Sequence, residues 1–432
     1  MRSTLLAFLL CVPLLAQLTP EQKARNIESF EQVWSTIRDK HWDNSFASGN
    51  WKQVHDELLP RVQAARSMEE ARGVISDMIG RVHLTHFGLI PNDLYESLDQ
   101  PGKTRRLSSP FAPEGAPGFE TRVIEGLVLV THVEKGSPAE AAHIQPGWQV
   151  REIDDELLAP LVDRLSAQFH DSTLQQLMLE RAIEHRLTGR ISTPVRVQFL
   201  DGSRERVDLS VPRAVRRGES SQLGYLPPMN VWFESRRIGD VGYFGFNVFL
   251  DPARLMPAFE EAVRGCSGCR GFVVDLRGNP GGIGIMAMGI AGFFMARPDQ
   301  RLGTMQMRDV TLNFVINPRP PVFTGPLAIL IDGLSASTSE IFAGGLRDLG
   351  RARLFGTHTA GAALPSVIEK LPNGDAFQYA VANYTSEGGA TLEGRGVTPD
   401  QVVPYDRTAL LAGRDAALEA ALAWIHSQKG PS

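Results

Sequence analysis

Cysteine is scarce, with three residues in a chain of 432. Cys11 lies in an apolar stretch at the start, which leaves Cys266 and Cys269, spaced C-S-G-C. Two cysteines without further ligands make no zinc site. In an oxidising compartment they can bridge or form a redox pair, and a structural role, reduced or bridged, is the expectation. Long basic runs are also missing, and the formal net charge is -5. That balance argues against nucleic acid or an anionic membrane as partner. There is no phosphate-binding loop and no metal-ligand spacing, so neither cofactor nor metal is expected. No apolar run reaches the roughly 20 residues of a membrane span. Repeats and low-complexity tracts are absent as well.

What is present begins with Arg2, an apolar run over residues 5–15, then Ala16 and Gln17. A charged start, a short apolar run and a small residue at its end describe a signal peptide over residues 1–16. The mature protein is therefore expected outside the cytoplasm, periplasmic or secreted. Leu9 and Leu10 before Cys11 are not the small residues of a lipoprotein cleavage site, so lipid anchoring is not expected.

With 43% hydrophobic residues, the chain can form more than one core, and its length suggests two to four domains. Residues 19–106 read as a helical domain. Phe30, Val33, Trp34 and Ile37 share one face at i, i+3, i+4, i+7. A second helix opens with a capping box of Ser67 and Glu70 and carries Val74, Ile75, Met78 and Ile79. Residues 107–118, rich in Pro, Gly and Ser, read as a linker. Residues 119–212 hold short strands. Residues 127–133 form a β-branched run, and 195–200 is set to pair with 206–211 across Asp201-Gly202. Between them residues 173–187 are helical. Residues 213–237 read as a second linker. From residue 238 onward strands and helices alternate, and 271–276 and 327–331 are continuous apolar runs, the mark of strands buried on both faces.

Two segments carry chemistry. In L-A-I-L-I-D-G-L-S-A-S-T-S-E, starting at Leu327, a buried strand ends in a turn of small residues and an amphipathic helix begins at once. A serine there is exposed beside unpaired N–H groups, and the helix dipole favours the anionic intermediate of acyl transfer. Ser335, Ser337 and Ser339 can equally be plain helix caps. In G-F-V-V-D-L-R-G-N-P-G-G, residues 271–282, a second buried strand ends in a glycine turn that lets backbone approach a substrate closely.

Together these segments resemble the C-terminal-processing (tail-specific) serine peptidases, family S41, in which a D-L-R-x-N-x-G-G turn precedes an S-A-S-x-S-E nucleophile segment. E-G-L-V-L-V and the stretch G-S-P-A-E-A-A-H-I-Q-P-G-W-Q-V-R-E-I-D-D (residues 136–155) resemble a PDZ domain. The resemblance implies a multidomain α/β protein: a helical N-terminal domain, a PDZ-like β domain with a helical insertion at 119–212, and a ClpP/crotonase-like α/β catalytic domain at 236–426. It implies Ser337 as nucleophile, with Asp348 at the family's helix aspartate. The Ser–Lys branch carries a lysine where this chain has Ala362. The lysine-free branch, tricorn-like and retinoid-binding-protein-like, resembles the sequence better and implies His86 as base, preceded by Thr85, with Glu393 completing the relay. Thr338 and Gly281 or Gly282 would supply the oxyanion N–H groups. Glu125, Gly126 and Leu127 would capture peptide by strand addition, while Trp148 replaces the family's aspartate. A histidine base predicts activity rising with an apparent pKa near 6 to 7. Rival bases are His83, His358 and Lys370. The implied activity is hydrolysis of peptides or unfolded C-terminal protein segments. A second reading, a non-catalytic binder on the same fold, rests on Ala362 and on Ile283, Ile285, Met286 and Met288 as an apolar pocket.

Overall fold

A computed structural model describes residues 18–46, 49–91, 114–222, 224–225 and 228–428. The leader over 1–16 and most of the linker expected at 107–118 lie outside the described residues.

The first helix, α1 (Pro20–Lys40), starts where the sequence can pay least for ordering it. Thr19 accepts from Gln22 N, Gln22 reaches back to Thr19 N, and Pro20 needs no N–H partner at that position. Its apolar face packs on α2 (Trp51–Ala64) and α3 (Met68–Gly80) through Phe30, Val33, Leu58, Val74, Ile75 and Met78. The expected capping box of α3 is half made. Ser67 Oγ accepts from Glu70 N, but the Glu70 carboxylate turns outward to Arg66 N. Beyond α3 the chain is not helical: after a turn it forms β1 (Gly88–Ile90).

The middle of the chain is one sheet in the order β2 (Phe119–Ile124), β3 (Leu127–Val133), β4 (Gln149–Ile153), β5 (Pro194–Leu200) and β6 (Arg206–Pro212). Between β4 and β5 the chain leaves the sheet for α4 (Ala159–Gln168) and α5 (Gln175–Leu187). Leu179, Ile183 and Leu187 of α5 cover Val195, Val197 and Phe199, alternate residues of β5 facing one side. The β5–β6 hairpin closes through a longer loop than Asp201-Gly202 suggests, with Asp201 N bonded to Glu205 O. The second expected linker is also partly wrong. It contains paired strands at Glu219–Ser221 and Met229–Val231, too short to show a periodicity.

The last unit is a six-stranded sheet. Its order is β7 (Phe233–Ile238), β8 (Val241–Phe246), β9 (Gly271–Asp275), β10 (Leu327–Ile331), β11 (Arg353–Gly356), with β14 (Gln401–Val402) at the far edge. All neighbours are parallel except β7 and β8. Alternation divides each strand between two cores. Phe244, Phe272, Val274 and Ile329 meet α6 (Pro252–Gly265), α7 (Gly284–Ala291) and α8 (Thr338–Asp348). Tyr243, Val273, Ala328 and Leu330 meet α9 (Ala416–Ser427) on the other face. Cys266 and Cys269 are disulfide-bonded and buried at the end of α6.

β12 (Ser366–Lys370) and β13 (Ala376–Ala380) leave this unit as a hairpin, and β13 pairs with β1, so the helical front is stitched to the back of the chain. Leu371, Phe377 and Tyr379 enter the core of α1–α3, and Arg72 pairs with fully buried Asp375 at 2.7 Å. The result is a multidomain α/β protein.

Candidate active site

β9 and β10 are adjacent and parallel, with Asp275 beside Leu330. Their following turns therefore emerge side by side, at the carboxyl ends where open α/β sheets place their sites. Of the three serines in the second turn, Ser335 and Ser339 are fully buried and spent on backbone. Ser335 Oγ donates to Leu276 O and Ser339 Oγ to Asn279 O. Ser337 alone is partly exposed, immediately before α8. Its φ of 55° and ψ of -117° are a conformation that a residue with a Cβ adopts only when its surroundings enforce it.

Those surroundings are the glycine turn and a buried carboxylate. A Cβ on Gly281 would stand 2.7 Å from Ser337 Cβ and 2.8 Å from Thr338 N, so only glycine fits there. Thr338 Oγ1 donates to Gly282 O. Glu340, with no exposure, accepts from Ser337 N, Gly361 N, Ala362 N and Thr359 Oγ1. Burial raises its pKa to about 7 against these four hydrogen bonds. Sequence reasoning used Glu340 only to locate the serine. Its signal was the Ser-Thr-Ser-Glu spacing of a capping box, in which Glu340 holds the N–H of Ser337. Ala362 is buried where the family lysine was expected, against Ala336 of the nucleophile turn and Leu177 of α5.

Of the two glycine N–H groups expected to face an oxyanion, Gly281 N is excluded, because it donates to Asn279 Oδ1 at 3.0 Å. Gly282 N and Thr338 N have no acceptor among the described residues. Asn279 also accepts from Ser339 Oγ, and so fixes the glycine turn to α8.

Thr85, His86 and Glu393, drawn from residues more than 300 positions apart, come together. Glu393 accepts from Thr85 N at 2.8 Å, from Thr85 Oγ1 at 2.9 Å and from Ala363 N at 3.1 Å. Thr85 Oγ1 lies 2.8 Å from His86 Nδ1. The hydroxyl has one proton and gives it to Glu393, so it must accept from His86 Nδ1–H. That fixes the tautomer with a lone pair on Nε2. Ala362 N and Ala363 N bind the two carboxylates in succession, so one backbone segment joins the Ser337 turn to the His86 relay. Ser337 Oγ and the His86 ring are not themselves hydrogen-bonded. Burial first, and the charge of Arg181 second, lower the His86 pKa to about 4. Burial raises that of Glu393.

None of the rival bases is hydrogen-bonded to Ser337. His83 is exposed in a turn, not a helix, with φ 57°. His358 is exposed and bonds Thr359 O. Lys370 is exposed on β12. Met286 is core, Ile283 and Met288 pack at its margin, and Ile285 is exposed, so these residues line no apolar pocket. Asp348 accepts from Gly388 N at the end of α8. Trp148 packs edge-on against Phe199. Of the expected peptide-capture residues, Glu125 (φ 51°) and Gly126 (φ 77°) are the two-residue turn of the β2–β3 hairpin, and Leu127 pairs with Ile124 across it.

Residues 240–403 match peptidase family S41, and residues 22–80 match the tricorn protease C1 domain. The carboxyl-terminal-processing protease of Synechocystis sp. is 28% identical over 379 residues, covering 86% of this chain and 79% of that protein. Among solved structures, the photosystem II D1 C-terminal processing protease has a TM-score of 0.57 at 20% identity, covering 96% of this chain and 99% of that one. Mature CPAF has a TM-score of 0.61 at 14% identity, covering 94% and 97%. The sequence, the fold and a serine held at a helix start make this chain a serine peptidase. The match to peptidase family S41 spans the unit that carries Ser337.

Proposed function

We propose that the chain hydrolyses peptides or unfolded C-terminal protein segments with Ser337 as nucleophile, His86 as base and Glu393, through Thr85, as the group that orients it. The observation that carries this is the Glu393–Thr85–His86 relay, which leaves Nε2 as the free acceptor. Ser337 Oγ attacks the scissile carbonyl carbon while His86 Nε2 takes its proton. Thr338 N–H and Gly282 N–H hold the resulting oxyanion. Collapse breaks the C–N bond, and His86 returns the proton to the leaving amine. Water then repeats the sequence on the acyl-enzyme, releasing the acid and restoring Ser337. Attack requires Ser337 Oγ and His86 Nε2 to come within hydrogen-bond reach, because the two are not bonded to each other.

In this reading residues 19–106 are the helical domain that supplies the base, 119–212 a PDZ-like module with α4 and α5 as its insertion, and 236–426 a ClpP/crotonase-like catalytic core. The leader over 1–16 exports the chain. Among the described residues no helix is long and apolar enough to cross a membrane.

The test is labelling of the mature protein by a serine-directed fluorophosphonate. Labelling is expected in the parent, lost in Ser337→Ala and strongly slowed in His86→Ala. Equal labelling of Ser337→Ala sinks the assignment.

A further inference from the structure

α8 starts at the nucleophile, and its far end opens on a cavity that the proposed mechanism does not use. The helix has 11 residues, so at about 1.5 Å per residue that end lies roughly 16 Å from Ser337. The cavity has a volume of about 520 Å³, and Arg347, Arg351, Arg353, Asp400 and Trp424 are among the residues lining it. The three arginines are held differently. Arg347, in the last turn of α8, gives Nε and Nη2 to Asp348 Oδ1 and Nη1 to Thr398 O, so its charge is matched. Arg351 gives Nε to Phe294 O and Nη2 to Phe323 O, which are uncharged acceptors. Burial lowers its pKa to about 10, which leaves it a cation at neutral pH. Arg351 therefore supplies positive charge to the cavity rather than a free fork of donors.

Arg353, the first residue of β11, makes no hydrogen bond and no ion pair among the described residues, and its Nε is sealed from solvent without an acceptor. Its guanidinium carbon stands 5.8 Å from the Phe355 ring and 5.9 Å from the Trp424 ring. Those rings are 5.8 Å apart. Two aromatic side chains thus hold in place a planar cation that has no counter-ion. Asp400, just before β14, is the acid that lines the cavity. Its Oδ2 accepts from Leu354 N at 2.8 Å, and Oδ1 has no donor among the described residues.

A ligand for this cavity has to answer both groups. The Arg353 fork calls for an oxyanion, which it can bind through two oxygens. Asp400 is an acceptor and repels an anion that has no proton to give it. Carboxylate and sulfate carry none at neutral pH and meet only the first demand. A phosphate group that keeps one proton meets both. We infer that this cavity is a phosphate-binding site, in which Arg353 takes two phosphate oxygens, Arg351 balances the charge and Asp400 accepts the proton on another oxygen. The phosphate can be the free ion or the head of a larger molecule, for which the cavity has room.

The experiment titrates the full mature chain with sodium phosphate, sodium sulfate and methyl phosphate at pH 6. Sodium chloride holds the ionic strength constant, so that screening is the same throughout. At that pH inorganic phosphate is protonated, and a monoester, with its second pKa near 6, keeps its proton about half the time. Unfolding temperature and tryptophan fluorescence are read together. Phosphate should raise the unfolding temperature along a saturating curve, and sulfate should bind at least about tenfold more weakly. Arg353→Gln should weaken phosphate binding by about tenfold or more, and Arg353→Lys, which keeps the charge without the fork, by less. Asp400→Asn keeps an oxygen for Leu354 N and offers an NH₂ to the anion, so sulfate should then bind as well as phosphate. Methyl phosphate binding like inorganic phosphate would place the group on a larger molecule, and binding of inorganic phosphate alone would make the free ion the ligand; either supports the site. Equal responses to phosphate and sulfate in the parent, a response that never saturates, or unchanged affinity in Arg353→Gln overturns it. The parent titrations decide the matter even where a variant does not fold.

Discussion

Replacing Glu340 by Gln removes one oxygen from a group that serves four donors and touches no cation. Oε2 accepts from Ser337 N and Ala362 N, both at 2.9 Å, and Oε1 from Gly361 N at 2.8 Å and Thr359 Oγ1 at 2.5 Å. The amide of Gln has one oxygen, so one of these pairs must face an NH₂ group. If that pair is Ser337 and Ala362, two buried N–H groups lose their acceptor, at about 1–3 kcal/mol each. If the amide turns the other way, Thr359 can rotate its hydroxyl to accept, and only Gly361 N–H is orphaned. The cheaper orientation keeps Ser337 N–H engaged. Glu340→Gln should therefore fold, lose about 1–3 kcal/mol and retain most of its kcat. Glu340→Ala removes all four acceptors. The resulting loss, about 4–12 kcal/mol at the same rate per donor, rivals the whole stability of a domain, about 5–15 kcal/mol. Urea unfolding followed by circular dichroism, with kcat from a quenched-fluorescence peptide, measures both. A Glu340→Ala protein as stable and active as the parent would refute the view that this carboxylate holds the nucleophile turn in place.

Two further outcomes follow from the His86 relay. Because burial and Arg181 lower the His86 pKa to about 4, the acid limb of kcat/KM should lie well below the 6 to 7 expected of an unperturbed histidine. Arg181→Ala removes a positive charge and should move that limb upward; a downward move in the pH–rate profile contradicts the assignment. Thr85→Val breaks the link between Nδ1 and Glu393 and should lower kcat by about 10–100-fold, short of the ~10²–10⁴-fold expected for His86→Ala. Equal losses in single-turnover kinetics would mean that Thr85 does more than orient the ring.

The two central strands were legible because burial on both faces turns them into unbroken apolar runs, and Leu327–Ile331 is observed with the bounds its sequence suggests. Ser337 could be told from its neighbours only through the family resemblance; the structure adds that Ser335 and Ser339 face inward. The pieces within residues 213–237 were missed for a physical reason. Three-residue strands gain their order from a partner, here Glu219–Ser221 with Met229–Val231, and carry no pattern of their own. The hairpin at Glu125-Gly126 was not legible, because a glycine turn before a β-branched run fits several loop geometries and only the register, Ile124 opposite Leu127, shows the turn. Gly281 and Gly282 are likewise equivalent in sequence, and it is the Asn279 side chain that spends one of the two N–H groups.

The absence of a lysine at position 362 has a structural consequence beyond the base itself. A lysine in that place would come from the same unit as the serine, so its position would depend on one core. His86 belongs to the helical front, which is docked on the rest of the chain by the pairing of β1 with β13, by Arg72 with Asp375 and by the shared core of Leu371, Phe377 and Tyr379. Glu393 adds to that docking by accepting both the N–H and the hydroxyl of Thr85. In the proposed mechanism the same carboxylate orients the base and binds one unit to the other. Glu393 also accepts from Ala363 N, and the adjoining Ala362 is tied through Glu340 to Ser337. Loss of docking between the units would strip Leu371, Phe377 and Tyr379 from the core of α1–α3 and, on the proposed assignment, separate the base from the serine. On that assignment the catalytic geometry is a property of the interface, where a lysine-based site would be a property of a single domain.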